Sequence, residues 1–332
     1  MEGHLLFYIK AINKPENMRI DVHQHLWSVP LVEALMGRRE LPFVRIENGL
    51  TVLYLSGERP YVIDLPSERP AKRAALVEQD GLDQALLCLS SPLGIERLPR
   101  SQAQPLLDAY HNGVLGLDGG FGAWGAMALD GAGPDDVDHA LACGCVGISL
   151  PAGALDSVDA IAELQPVLSR LELHGAPLLV HPGPGLHSGA LARCAQPSLS
   201  DPLWWPALTG YVAGMQAAWL AFLVAGRLRH PELRVIFSML AGLAPLHSER
   251  LASRGGPCRG LQDPLIFYDT SSYGHAAVEA VQDVVGAEQL LYGSDRPVLD
   301  PADGGIHGQL DWDAIADGTA RALQGASLVV AR

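Results

Sequence analysis

Eight short runs rich in valine, isoleucine and leucine punctuate the chain. They are Arg19–His23, Ala85–Leu89, Gly122–Ala128, Val146–Leu150, Leu178–His181, Arg234–Met239, Ile266–Asp269 and Leu290–Gly293. Runs this short and this continuously apolar suit parallel strands covered on both faces. Six of the connections hold a segment able to form a helix, Ser157–His174 and Ala276–Val285 among them. Strands and helices alternating in this way predict an α/β chain folded as a (β/α)8 TIM barrel. An open doubly wound sheet would use the same elements, but no Gly-x-Gly-x-x-Gly follows the first run, where a dinucleotide fold would carry it.

Such a barrel needs a large core. The 332 residues are 48 % apolar and 18 % charged, which supplies one and excludes a disordered chain. The 23 basic residues face 37 acidic ones, for a net charge of −14. That balance repels phosphate backbones, so nucleic acid is excluded as a partner and a small-molecule substrate is expected. The five cysteines are odd in number, scattered and without a CxxC pair, which predicts no disulfide framework and a reducing, cytoplasmic setting. Cys143-Gly-Cys145 reads as two small apolar residues entering a strand.

Met1 to Lys10 has only a short apolar core and no small-residue cleavage site, a poor signal peptide. Residues 1–17 read as a tail, with Met18 as an alternative start, and 18–332 as a single domain. Leu203 to Gly226 carries no charged residue and is long enough to cross a bilayer. Pro206, Gly210, Gly214 and Gln216 favour instead a buried helix capped by Thr209. A helix apolar on nearly every side needs more cover than one barrel wall, so a homodimer and no membrane are expected.

Two connections are long, those after the first and fifth runs. Long βα loops lie on the face of a barrel that carries chemistry. The first contains Asn48-Gly49 between two β-prone runs, predicting a hairpin flap inserted at about residues 41–65. The second contains Trp204-Trp205.

The first run ends in His23-Gln-His25, the fifth in His181, and Asp295 follows the eighth. Residues two apart on a strand share a side, so the paired histidines project together at the C-terminal mouth. Three imidazoles and a carboxylate from three strand ends suit zinc or another divalent transition ion.

On these residues the chain resembles the amidohydrolase superfamily, in the branch of amidohydrolase-related proteins that includes aminocarboxymuconate-semialdehyde decarboxylase. The likeness runs from about Met18 to Leu323. Its anchors are IDVHQH, VHPG, HPELRVIFSMLAGLAP with Glu249-Arg250-Leu251 after it, FYDTSS and YGSDRP. It implies a metal-dependent barrel with one divalent ion, zinc first, on His23, His25, His181 and Asp295. It also exposes a departure: Met239 stands where the family carries a histidine that moves protons. Methionine offers only a weak acceptor.

The expected function is therefore a metal-dependent hydrolase of a small ester, amide, lactone or ring-cleavage product, with Asp295 orienting the metal-bound water and taking its proton. The alternatives are a non-oxidative decarboxylase of an aromatic or muconate-type acid, and a catalytically impaired barrel. His187 and His275 are candidate proton carriers or solvent-facing loop histidines. Trp27, Trp204 and Trp205 can stack on a substrate ring or pack loops together. Arg45 on the flap can clamp a substrate carboxylate or lie idle on the surface.

Overall fold

In the computed structural model, residues 18–186, 202, 204–257, 263–299 and 310–326 are described. The tail 1–17, His187, Cys194 and Cys258 lie outside them. All eight apolar runs contribute strands: β1 (Ile20–Gln24), β5 (Gln84–Leu87), β6 (Phe121–Ala123), β7 (Ile148–Pro151), β8 (Leu178–His181), β9 (Val235–Phe237), β10 (Ile266–Asp269) and β11 (Leu290–Leu291). They pair in parallel as β1-β5-β6 and β7-β8-β9-β10-β11.

Sparse hydrogen bonds close the two seams between these sheets into a barrel. At one seam Val146 N–H donates to Ala123 O (2.9 Å), Ser149 N–H donates to Gly125 O (2.8 Å), and Gly125 bridges Ile148. At the other, Val22 N–H donates to Tyr292 O (2.9 Å), and Gln24 bridges Arg296. Gly125 is required at its seam, because a Cβ there would lie 2.7 Å from the Ala140 side chain and 2.8 Å from that of Ile148.

Strand alternation divides the core. Leu86, Cys88, Leu179, Ile236, Phe267 and Leu291 fill the barrel interior around Trp124. Their neighbours Leu178, Val180, Val235, Phe237, Ile266 and Tyr268 face the helical layer.

The flap has one strand more than expected. β2 (Phe43–Glu47) and β3 (Leu50–Tyr54) form the hairpin, and β4 (Tyr61–Ile63) pairs antiparallel with β3. Asn48 and Gly49 both take positive φ, as a tight two-residue hairpin turn demands. β4 is three residues long and follows Pro60, so it carries little local signal.

The helical expectation over 157–174 resolves into two helices, α5 (Val158–Glu163) and α6 (Gln165–His174), broken at Leu164 ahead of Pro166. Ser157 caps α5 by accepting from Ala160 N–H. Thr209 does not cap the apolar helix. Its hydroxyl donates back to Trp205 O (2.7 Å), closing a first turn before helix Gly210–Ala221 begins. Trp205–Arg229 is long and apolar enough to cross a membrane by length and composition, and a third of its apolar window is buried. It packs Met215, Ala218, Trp219 and Phe222 into the outer core.

Candidate metal centre

The C-terminal ends of β1, β5, β8 and β10, with the turn after β11, bring the chemistry together. Each inner row of side chains ends in a polar group: Leu86 leads to Cys88, Leu179 to His181, and Phe267 to Asp269. On β1 the pairing with β5 is irregular between Asp21 and Gln24, with His23 inside that stretch and His25 just past it, both buried.

Three acceptors fix the histidine tautomers. His23 Nδ1–H donates to Asp269 Oδ2 (2.8 Å), His25 Nδ1–H to Cys88 O (2.9 Å), and His181 Nδ1–H to Pro182 O (2.7 Å). A carbonyl or carboxylate can only accept, so in each neutral imidazole Nε2 keeps the lone pair. Those lone pairs converge. His25 Nε2 lies 3.3 Å from His23 Nε2, 3.2 Å from His181 Nε2 and 3.0 Å from Asp295 Oδ1, which is 3.5 Å from His23 Nε2. Donors around a tetrahedral ion at about 2.0–2.1 Å lie about 3.3–3.4 Å apart. Facing lone pairs and a carboxylate repel one another unless a cation lies among them, so the donor set fits a divalent ion.

The electrostatics agree. Burial lowers the pKa of His181, and its two imidazole neighbours lower it further, keeping it neutral as a ligand must be. Burial opposes charging His23, yet the Asp269 carboxylate raises its pKa well above the usual value. Burial opposes charging His25 too, but Cys88 and Asp295 push it up to about 10. Without a metal, the centre draws positive charge in as protons.

Of the converging side chains Asp295 is the one that reaches solvent, 14 % exposed, whereas the three histidines are buried. It takes φ +61°, a strained conformation for a residue with a side chain, and its N–H donates to His23 O (2.9 Å). Arg296 turns to Asp80 instead, at 3.1 Å. Trp27 is buried with its ring centroid 6.1 Å from that of Tyr61 on the flap. Burial raises the Tyr61 pKa, and the charges of Glu68 and Asp295 raise it further.

Other expected residues lie elsewhere. Arg45 donates to the carbonyls of Met36, Val44 and Arg38, tying the flap to helix α1 (Val29–Met36) rather than offering its fork to a ligand. His275, itself exposed, opens helix His275–Val285 and faces Glu279 at 3.7 Å. Trp204 and Trp205 are exposed and lean on each other at 5.7 Å. Met239 lies past the end of β9 rather than within a strand. It begins five left-handed residues, φ +48° to +64° through Leu243, and its N–H donates to Asp269 Oδ1 (3.0 Å). Cys88 and Asp269 were missed in the sequence, although both continue an inner apolar row to its C-terminal end.

No protein-family model matches the chain, and no curated protein matches it. Solved structures do. An apo structure of IDCase from Metarhizium anisopliae is similar at TM-score 0.69 and 18 % identity, over 93 % of each chain. The 5-carboxyvanillate decarboxylase LigW from Sphingomonas paucimobilis is similar at TM-score 0.67 and 16 % identity, over 93 % of this chain and 99 % of that one. A 5-carboxyvanillate decarboxylase from Novosphingobium aromaticivorans, complexed with manganese and 4-hydroxy-3-methoxy-5-nitrobenzoic acid, is similar at TM-score 0.53 and 17 % identity, over 78 % of each chain. At these identities the likeness is one of fold. The fold they share with this chain is the (β/α)8 barrel.

Proposed function

We propose that this chain is a metal-dependent carboxy-lyase that removes carbon dioxide without oxidation from a small aromatic or muconate-type acid. The reading departs from the hydrolase that the sequence favoured. One observation carries it: among the converging donors, the carboxyl of Asp295 is the one open to solvent. Decarboxylation leaves electrons on a carbon that must take up a proton, and a carboxyl at the open side can hold and deliver it. Met239 has no proton to give, so that task falls to Asp295. The resemblance in fold to decarboxylases of aromatic acids supports the same choice.

His23, His25, His181 and Asp295 would hold one divalent ion. Its positive charge would draw electrons from the substrate's oxygens. The ion is zinc or manganese, zinc suiting the imidazoles and manganese being bound by the Novosphingobium decarboxylase. Trp27 and Tyr61, with ring centroids 6.1 Å apart, offer aromatic faces able to stack on a planar ring.

The test loads the protein with zinc or manganese and offers hydroxylated benzoates and muconates alongside esters, lactones and amides. Carbon dioxide is expected from at least one acid, with solvent deuterium appearing at the vacated carbon, and Asp295→Asn should abolish both. Hydrolysis of an ester, lactone or amide with no carbon dioxide from any acid would restore the hydrolase.

A further inference from the structure

Cys88 takes no part in the chemistry proposed for Asp295. It closes the inner row of β5, 1 % exposed, where the apolar filling of the barrel gives way to imidazoles. Its Sγ lies 3.5 Å from His25 Nδ1 and 3.4 Å from Gln24 O. Ligand atoms of His23, His25, Cys88 and His181 all lie within 4.8 Å of one another. The thiol is free, like those of Cys143 and Cys145. A buried cysteine ordinarily packs as a small apolar residue. This one has the His25 imidazole against its sulfur on one side and the barrel core on the other.

We infer that Cys88 is a sulfur donor to the centre. With a thiophilic divalent ion, a metal–sulfur bond forms, the thiol proton passes to solvent, and the sulfur joins the three histidines from the core side. Asp295 keeps the side open to substrate. A donor set of nitrogen, oxygen and sulfur favours zinc, cobalt or cadmium over magnesium and manganese. The inference rests on reading these residues as a metal centre, and cobalt tests the two claims separately.

The full-length protein is stripped with a chelator under reducing conditions, reloaded with Co2+, and its absorption recorded. Visible ligand-field bands report ion in the centre. A near-ultraviolet sulfur-to-cobalt band, which imidazole and carboxylate ligands do not produce, reports the thiolate. Both are expected in the wild type, and Cys88→Ser should lose the near-ultraviolet band while keeping the visible ones. A variant with Cys143, Cys145, Cys194 and Cys258 all replaced by serine should keep both, and it decides the matter should Cys88→Ser fail to fold. Visible bands alone in the wild type, or a sulfur band that survives Cys88→Ser, overturn the role of Cys88 and leave the centre standing. No bound cobalt overturns the centre itself.

Discussion

At the scale of single residues, two aspartates at the proposed metal centre have different work. Asp295 supplies a donor atom and reaches solvent. Asp269 is fully buried and accepts from His23 Nδ1–H, from Met239 N–H and from the backbone and hydroxyl of Ser271. Burial alone would raise its pKa, but His23 and these donors lower it, so it stays charged and holds His23 with Nε2 toward the centre. Asp269→Asn should therefore weaken metal affinity by about 10–100-fold, measured by competition with a chromophoric chelator. Unchanged affinity would mean that His23 needs no such orientation. Met239→His adds a proton carrier at a position whose positive φ histidine tolerates better than most residues. Carbon dioxide release should rise by about tenfold or more. An unchanged rate would show that the position does not face the reacting carbon.

At the scale of elements, the segment after β9 is the most demanding. Left-handed backbone costs about 1–2 kcal/mol for each residue with a side chain. The run is held by Met239 N–H on Asp269, by Ala241 N–H on Ser238 O, and by Gln216 Nε2–H on Gly242 O. At Gly242 a Cβ would lie 2.8 Å from Val212 O, so the run and helix Gly210–Ala221 fit only with glycine there. The turn after β5 holds a different tension. Glu96 is buried, Ser91 Oγ–H donates to its Oε1, and its Oε2 has no partner. Burial pushes this carboxyl up to about 7. A raised carboxyl stabilises the fold in its neutral form. Stability should therefore fall as pH rises from about 4.5 to about 7 and stay at the lower level above that. Glu96→Gln removes the penalty. It should add about 3 kcal/mol at pH 8 and little at pH 4.5, read from urea midpoints at the two pH values. An equal gain at both would place the effect outside ionisation.

At the scale of the whole molecule, helix Trp205–Arg229 presents Leu220, Val224 and Leu228 to solvent at a spacing of four residues. Leu220 and Val224 lie on a stretch without charge, and Leu228 stands between Arg227 and Arg229, so two copies of this chain of net charge −14 can meet over the uncharged part of the row. Light scattering should give twice the 35.3 kDa chain mass. Val224→Glu combined with Leu228→Glu should give the single mass with metal content unchanged. A wild type that is monomeric at micromolar concentration would remove the expectation of a dimer.

The alternation of apolar runs and helical segments by itself determined the barrel, because a two-residue or 3.6-residue period is written along a few neighbouring positions. Residue chemistry at the ends of those runs likewise marked His23, His25, His181 and Asp295 as metal-ligand types, and Asn48-Gly49 marked the flap. Only the tertiary structure decided how the seams close, that Arg45 serves backbone carbonyls, and that β4 joins the flap. It also decided which nitrogen each histidine presents. His23 owes its tautomer to a carboxylate 246 positions away, and His25 to a carbonyl 63 positions away. Cys88 and Asp269 stayed hidden for the same reason: a buried sulfur or carboxylate has no local period, and its meaning lies in what the folded chain sets beside it.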